Sequence, residues 1–295
     1  MPLAFITWNV SPEIINIGFI SLRWYGLLFA LGFVAGQYLM SWFFTMEGRN
    51  VKDIDSLLMY MVVSTVIGAR LGHCLFYEPE YYLSHPLSIL KVWEGGLASH
   101  GATVGILTAI YLFAYKRNEV GAFLYKIPLL NLLVGKPEKS EDSYTWFYLL
   151  DRLVICIALG GACIRMGNLM NSEIVGLPTD KPWGFVFQRL LTPEGLPEDF
   201  ARHPSQLYES IFCFFLFLLL LFIYLKYKST TPSGRIFGLF LVLLFTQRIL
   251  VEFTKENQVG FENSLWLNMG QILSLPLVAV GIFILYRSYT KPIVI

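Results

Sequence analysis

Five arginines, Arg23, Arg70, Arg152, Arg165 and Arg248, and three acids, Asp151, Glu209 and Glu252, lie in or beside stretches otherwise nearly free of charge. A charge near the centre of a bilayer costs about 2.5–3.5 kcal/mol on insertion scales, so each needs a partner or a purpose. Structural pairing, or snorkelling to a helix end, accounts for any one arginine. The excess of five over three does not reduce to pairing. Surplus guanidinium groups in a buried site suit an anion, phosphate above all, because the planar fork of arginine matches its oxygens. The chemistry expected is recognition of an anionic group inside an apolar medium.

Spacing within segments supports shared faces. Arg165 and Asn168 are three apart and Arg248 and Glu252 four apart, so each pair occupies one side of a helix. Glu252 reads first as the group that holds the Arg248 guanidinium in place. Tyr25, in Leu22-Arg23-Trp24-Tyr25-Gly26, reads equally as an interfacial aromatic anchor. His100 lies between Gly95-Gly96 and Gly101. A lone histidine usually does no more than satisfy a hydrogen bond, but histidine is also the one side-chain type nearby whose ordinary, unperturbed value is close to neutrality. The other histidines read as packing (His73), a loop residue (His85) and a residue that caps or orients the helix after Pro204 (His203). The four cysteines, Cys74, Cys156, Cys163 and Cys213, all fall in apolar segments and read as small buried hydrophobes, not as a disulfide or metal framework.

The elements that must position these groups follow from composition. Of 295 residues, 55% are hydrophobic and 15% charged, against about 25% charged in an average soluble domain. Runs without formal charge at Trp24–Met46, Gly95–Tyr115 and Asn263–Tyr286 exceed the roughly 18 apolar residues that mark a membrane helix. A soluble enzyme, a nucleic-acid binder and a disordered scaffold are excluded. The chain reads as an all-α polytopic membrane protein forming a single domain over residues 1–295. Its seven transmembrane helices fall near Phe19–Phe44, Ile54–Phe76, Leu97–Tyr115, Trp146–Met170, Ser205–Tyr227, Gly234–Phe253 and Met269–Tyr286. The first twenty residues hold no Lys or Arg, so no signal peptide is expected.

Loop charge orients the spans. With the N-terminus outside and the C-terminus inside, the inner loops hold twelve Lys and Arg and the outer loops five, Lys91, Lys181, Arg189, Arg202 and Lys255. Residues 171–204 then form a small ordered head outside, and residues 116–145 an extended inner loop. This arrangement brings Arg23, Tyr25, Arg70, His100, Arg165, Asn168, Gln206, Glu209, Arg248, Glu252 and Gln271 toward the outer leaflet. Only Asp151-Arg152 falls on the inner side.

The segment from Arg165 through Gly167, Asn168, Asn171 and Glu173 to Gly176 closely resembles the signature of the bacterial prolipoprotein diacylglyceryl transferase family. Leu22–Gly26, Gly68–Gly72, Gly95–Gly101, Arg202–Glu209, Arg248–Phe253 and Met269–Pro276 are similar to that family's other blocks, in order, across nearly the whole chain. Ile164 stands where the signature usually has a glycine, Ala102 replaces a second glycine after the histidine, and the inner loop is longer than in the commonest members.

The resemblance implies transfer of the diacylglyceryl group of phosphatidylglycerol to the lipobox cysteine of a preprolipoprotein signal peptide. It implies a multi-pass protein of the bacterial cytoplasmic membrane with its site facing the periplasm. On it, His100 matches a proposed general base, and Arg165 and Arg248 match the arginines that hold the lipid phosphate and headgroup. Asn168 and Glu173 match positioning residues of the signature. Tyr25, Asn171, Gly176, Glu252 and Gln271 match recurrent positions, and Arg70 joins them as a substrate-binding candidate. No metal or organic cofactor is expected. The competing classes are a transporter or flippase for an anionic lipid, and another lipid enzyme. A transporter should show a polar path through both leaflets or paired repeats. The second class should show a Gly-x-Ser-x-Gly elbow or a metal cluster. The sequence shows none of these clearly.

Overall fold

The computed structural model describes residues 5–17, 20–91, 96, 98–126, 143–191, 195, 197–255 and 266–290, with the backbone alone at 20, 99 and 116–125. Most of the chain is helical: α1 (Trp24–Met46), α2 (Lys52–Phe76), the short α3 (Pro79–Ser84), α4 (Ser99–Tyr125), α5 (Trp146–Met170), α6 (Ser205–Tyr227), α7 (Arg235–Glu252) and α8 (Met269–Thr290). Among the described residues, five helical segments are long and apolar enough to cross a membrane: Trp24–Met46, Lys52–Phe76, Trp146–Met170, Ser205–Thr230 and Met269–Thr290. The chain is in this respect a polytopic membrane protein.

The all-α expectation needs one amendment. Two small sheets accompany the helices, β1 (Ile6–Trp8) parallel to β4 (Phe185–Phe187), and β2 (Glu13–Ile17) antiparallel to β3 (Ile20–Arg23). The first span accordingly begins at Trp24, not near Phe19, and Arg23 closes a strand where its guanidinium reaches Glu13 at 3.5 Å. Helix α4, the expected third span, runs ten residues beyond the expected Tyr115. Charge ends a membrane span but not a helix, because Lys and Arg are good helix formers. The apolar part of the inner loop and its charged tip, residues 127–142, lie outside the described residues, as do Gly95 and Leu97.

Two compact parts can be distinguished, one of Met1–Met40 with Asp151–Ile295 and one of Ser41–Leu150. In the second, α2 and α4 meet through two glycine pairs of GxxxG spacing, Gly68 with Gly72 and Gly101 with Gly105. A Cβ on Gly101 would strike the Gly68 carbonyl, and one on Gly105 the Ser64 carbonyl. Small residues let helix backbones touch where lipid gives side chains no hydrophobic gain. The far end of this part is closed by Tyr144, whose hydroxyl donates to Asp53 Oδ2 at 2.8 Å, and by Tyr148, which donates to Glu47 Oε2 at 2.8 Å.

In the first part, α6 lies on α5 where Ser210 Oγ donates to the Ala162 carbonyl at 2.8 Å and Cys213 Sγ would sit 3.4 Å from a Cβ on Gly161. Helix α8 meets α7 at Gly238 and Gly281: a Cβ on the first would lie 3.1 Å from the carbonyl of the second, and one on the second 3.0 Å from the carbonyl of the first. Asp151, on the inner side with Arg152, has a structural task. Its carboxylate is fully buried and accepts from Gly234 N and Phe237 N, both at 2.8 Å, so it caps the start of α7 from α5. Arg152 lies over the ring of Tyr224, 5.7 Å from its centroid. The head packs on the end of α5. Leu169, Phe185 and Phe187 form its core with Trp8 and Leu207 against them, and Trp8 Nε1 donates to the Leu169 carbonyl at 3.1 Å.

Candidate active site

The end of α5 carries the first group of polar residues. Arg165 and Asn168 share a helix face, and Arg165 Nη1 donates to Asn168 Oδ1 at 3.4 Å. The helix stops in a left-handed turn at Ser172 (φ 55°), with a second positive φ at Ile174 (59°). A branched side chain at positive φ is strained, and strain of this kind collects at functional sites. Its effect here is to fold Glu173 back, where Oε1 accepts from Asn168 Nδ2 at 2.8 Å and from Asn171 Nδ2 at 3.2 Å. Gln206 Nε2 at the start of α6 donates to the Glu173 carbonyl at 2.5 Å. Tyr25 lies against Gly167: a Cβ there would meet its ring at 2.9 Å and its backbone at 3.1 Å.

From Arg165 the network continues through buried charge. Arg165 Nε is 3.2 Å from Glu209 Oε2, and Glu209 Oε1 meets Lys255 Nζ at 2.9 Å. Lys255 also reaches Glu252 Oε1 at 3.4 Å, and Glu252 Oε1 is 3.8 Å from Arg248 Nε. The result is a buried bar, Glu209–Lys255–Glu252, with an arginine at each end. Side-chain exposure separates bar from ends: at most 9% for the three bar residues, 24% for Arg165 and 45% for Arg248. Each arginine is ion-paired to its carboxylate on the Nε side, which leaves donor capacity on the η nitrogens. Ends of α5, α6, α7 and α8 all contribute.

This arrangement corrects the expectation of surplus positive charge. Arg165, Arg248 and Lys255 are matched by Glu173, Glu209 and Glu252, while Arg23, Arg70 and Arg152 serve elsewhere. Buried charges must be paired, so affinity for an anion rests on the aim of the two arginines, not on net charge. Lys255 was assigned to an outer loop by its distance past the apolar run. Its place three residues after Glu252, on the same helical face, was the available signal.

Gly176 and Gln271 act from behind. Gly176 pairs with Lys255 in an antiparallel bridge, donates from N to the His203 carbonyl at 2.9 Å and accepts from Arg202 Nη1 at 3.2 Å. Gln271 belongs to a reciprocal cap of α8: its N donates to Asn268 Oδ1 at 2.9 Å, and its Oε1 accepts from Asn268 N at 3.1 Å. Its Nε2 donates to the Ile249 carbonyl at 3.2 Å. The cap frees Asn268 Nδ2 to hold Glu252 Oε2 at 3.1 Å. Asn268 was not singled out, although Asn-x-x-Gln before an apolar run is the sequence mark of such a cap. Gly270 makes room for that carboxylate, since a Cβ on it would sit 2.8 Å from Glu252 Cδ.

Two candidates belong to the other compact part. Arg70 is buried and donates to the carbonyls of Ser88 (Nη2, 2.6 Å), Ile89 (Nε, 3.0 Å) and Gly96 (Nη1, 3.4 Å). His100 is exposed in the first turn of α4.

A family model described as prolipoprotein diacylglyceryl transferase matches residues 12–287. The chain belongs to that family. Among its curated relatives is the phosphatidylglycerol–prolipoprotein diacylglyceryl transferase of Chloroherpeton thalassium, 43% identical over 285 residues, 97% of this chain and 95% of that protein. The protein of the same name from Tolumonas auensis is 44% identical over 281 residues, 95% and 96% of the two chains. The one from Bacteroides fragilis is 38% identical over 297 residues, 96% and 95%. The network from Glu173 to Arg248 is therefore the polar centre of a diacylglyceryl transferase family member.

The head of this family member holds a titratable group of its own. His203 Nδ1 and Tyr208 OH share a 3.1 Å hydrogen bond, and Tyr208 accepts from Trp183 Nε1 at 2.9 Å. Burial first, and the Lys181 ammonium second, hold the His203 imidazole below its ordinary 6.5. The folded protein thus binds this proton less readily than the unfolded chain. Its contribution to stability is complete above the ordinary value and is lost as pH falls below it. Thermal unfolding in detergent should fall between about pH 7.5 and about pH 5.5, and should fall less in His203→Gln. Equal slopes in the two proteins would place the acid sensitivity in other groups.

Proposed function

We propose that the chain transfers the diacylglyceryl group of phosphatidylglycerol to the lipobox cysteine of a preprolipoprotein, the first step of lipoprotein maturation. The observation that carries this reading is the pair of arginines ion-paired on the Nε side at the two ends of one buried Glu–Lys–Glu bar, in a chain of this family. The thiol sulfur attacks the glyceryl carbon that bears the phosphate ester. A carbon–sulfur bond forms, the carbon–oxygen bond breaks, and glycerol-1-phosphate leaves with the bonding electrons. The product is a thioether.

Arg165 and Arg248 hold the phosphate and stabilise the charge that grows on it as it leaves. Asn168 and Glu173 position the glycerol headgroup, with Asn171 and Tyr25 shaping the pocket wall, and Glu252 orients Arg248. His100 takes the proton of the thiol, whose ordinary value near 8.5 leaves it a weak nucleophile at neutral pH. Gly176 and Gln271, placed on backbone and cap, support the lipid site from behind.

In this reading α4 and α7 also cross the bilayer, giving seven spans. The 18 residues of α7 span about 27 Å at 1.5 Å each, near the roughly 30 Å of a hydrocarbon core. The loop charge supports an N-terminus and a site on the periplasmic side of the bacterial cytoplasmic membrane. The exported signal peptide presents its cysteine there.

The test is an assay of purified protein in detergent or liposomes with phosphatidylglycerol and a lipobox peptide, read by mass spectrometry. A diacylglyceryl thioether on the cysteine is expected, and none on a Cys→Ser peptide. Folded protein that binds the lipid and forms no product would favour movement of an anionic lipid over transfer.

A further inference from the structure

The second compact part contains a clamp that neither the anion seat nor the thiol chemistry uses. Arg70, on α2, reaches three carbonyls on both flanks of one loop: Ser88 and Ile89 before it and Gly96 after it. Its guanidinium also lies over the Tyr82 ring, 5.0 Å from the centroid. His73, one turn further along α2, stands against the same glycine. A Cβ on Gly96 would lie 2.7 Å from His73 Nε2 and 2.9 Å from Arg70 Nη1, and its φ of +67° favours glycine in any case. His73 is in turn stacked on Tyr77, set edge-on to Tyr82 and 3.6 Å from Glu78 Oε1.

Two further ties complete the path to His100. Ala98 N donates to the Ala69 carbonyl at 2.9 Å, and the backbone of Gly101 lies against Gly72. Positions 96, 98 and 101 are therefore each fastened to the 69–73 stretch of α2, and His100 stands between the last two.

We propose that Arg70 and His73 are positioning residues that set the start of α4 and thereby aim His100. Arg70, expected to bind substrate, instead acts through the backbone it holds. This inference rests on His100 as the group that takes the thiol proton.

The experiment is a kinetic double-mutant cycle on the full-length enzyme, with Arg70→Lys and His100→Gln alone and combined, across the pH range. Lysine keeps the charge and loses the three-way fork. Arg70→Lys is expected to lower kcat roughly tenfold or more near neutral pH and to leave KM for phosphatidylglycerol within about twofold. Its rate should climb toward that of the unaltered enzyme as pH approaches about 9, where the thiol ionises unaided. In the His100→Gln background the same substitution should have little further effect.

A raised KM with kcat preserved would make Arg70 a lipid ligand and overturn the proposal. So would an equal loss in both backgrounds. His100→Gln with an unaltered rate and pH profile would remove the His100 reading itself, a distinct result. Should Arg70→Lys not fold, Gly96→Ala carries the test. It keeps every side chain of the clamp, pushes the loop off it, and should give the same kcat loss and the same recovery at high pH. A Gly96→Ala enzyme with unchanged kinetics would likewise overturn the proposal.

Discussion

Arg165→Ala and Arg248→Ala should each lower turnover by about 10²–10³-fold, the loss expected when one preorganised donor to developing charge is removed. Neither should unfold the protein. Without Arg165, Glu209 keeps Lys255 at 2.9 Å, and without Arg248, Glu252 keeps Lys255 at 3.4 Å and Asn268 at 3.1 Å. No buried carboxylate is left without a partner, so thermal unfolding in detergent should move little. Arg165→Lys should restore little activity, since a point charge cannot both bridge to Glu209 and present a planar fork to phosphate. Initial rates with phosphatidylglycerol and a lipobox peptide, measured beside unfolding curves, provide the check. Near-normal turnover in both alanine variants would remove the phosphate clamp.

Gly176→Ala should damage the fold of the site as well as its activity. The added Cβ would lie 2.5 Å from Ser205 Oγ, 2.6 Å from His203 Cβ and 2.6 Å from the Thr254 carbonyl, closer than any real contact. The chain must open where Gly176 bridges Lys255 and where Leu177 N donates to the Thr254 carbonyl at 2.7 Å. Lys255 then withdraws from Glu209 and Glu252, and two buried carboxylates lose their shared cation. Breaking a buried pair of this kind costs about 3–5 kcal/mol. A clear fall in unfolding temperature together with loss of turnover is the expected result. Gly160→Ala is the control, because its Cβ would meet nothing within 4 Å. In a helix interior that change should be neutral or stabilising by up to about 1 kcal/mol. Equal behaviour of the two variants would deny Gly176 its role.

Much of the site was legible because its members lie close along the chain. Arg165, Asn168, Asn171 and Glu173 fall within nine residues, and Arg248 and Glu252 within five; helical periodicity puts Arg165 with Asn168 and Arg248 with Glu252 on shared faces, and the turn at Ser172 brings in Glu173. Local chemistry also marked the Asn268–Gln271 cap and the two glycine pairs of α2 and α4, signals present in the residues and passed over. Arg70 marks the limit of that legibility: an embedded arginine looks the same in a sequence whether it faces an anion or, as here, the carbonyls of Ser88, Ile89 and Gly96.

By itself the sequence determined the apolar helices, their order and the types of group that gather at their ends. Those properties depend on residues within a few turns of one another and on the length of an apolar run. Tertiary structure decided which charges meet. Glu209 and Lys255 are 46 residues apart, and their contact depends on the α5–α6 packing at Ala162 and on the bridge at Gly176. Asp151 finds its partners more than 80 residues away, at the start of α7. A buried charge must be neutralised by whatever the fold brings near it, and the residue that does so has no fixed distance along the chain.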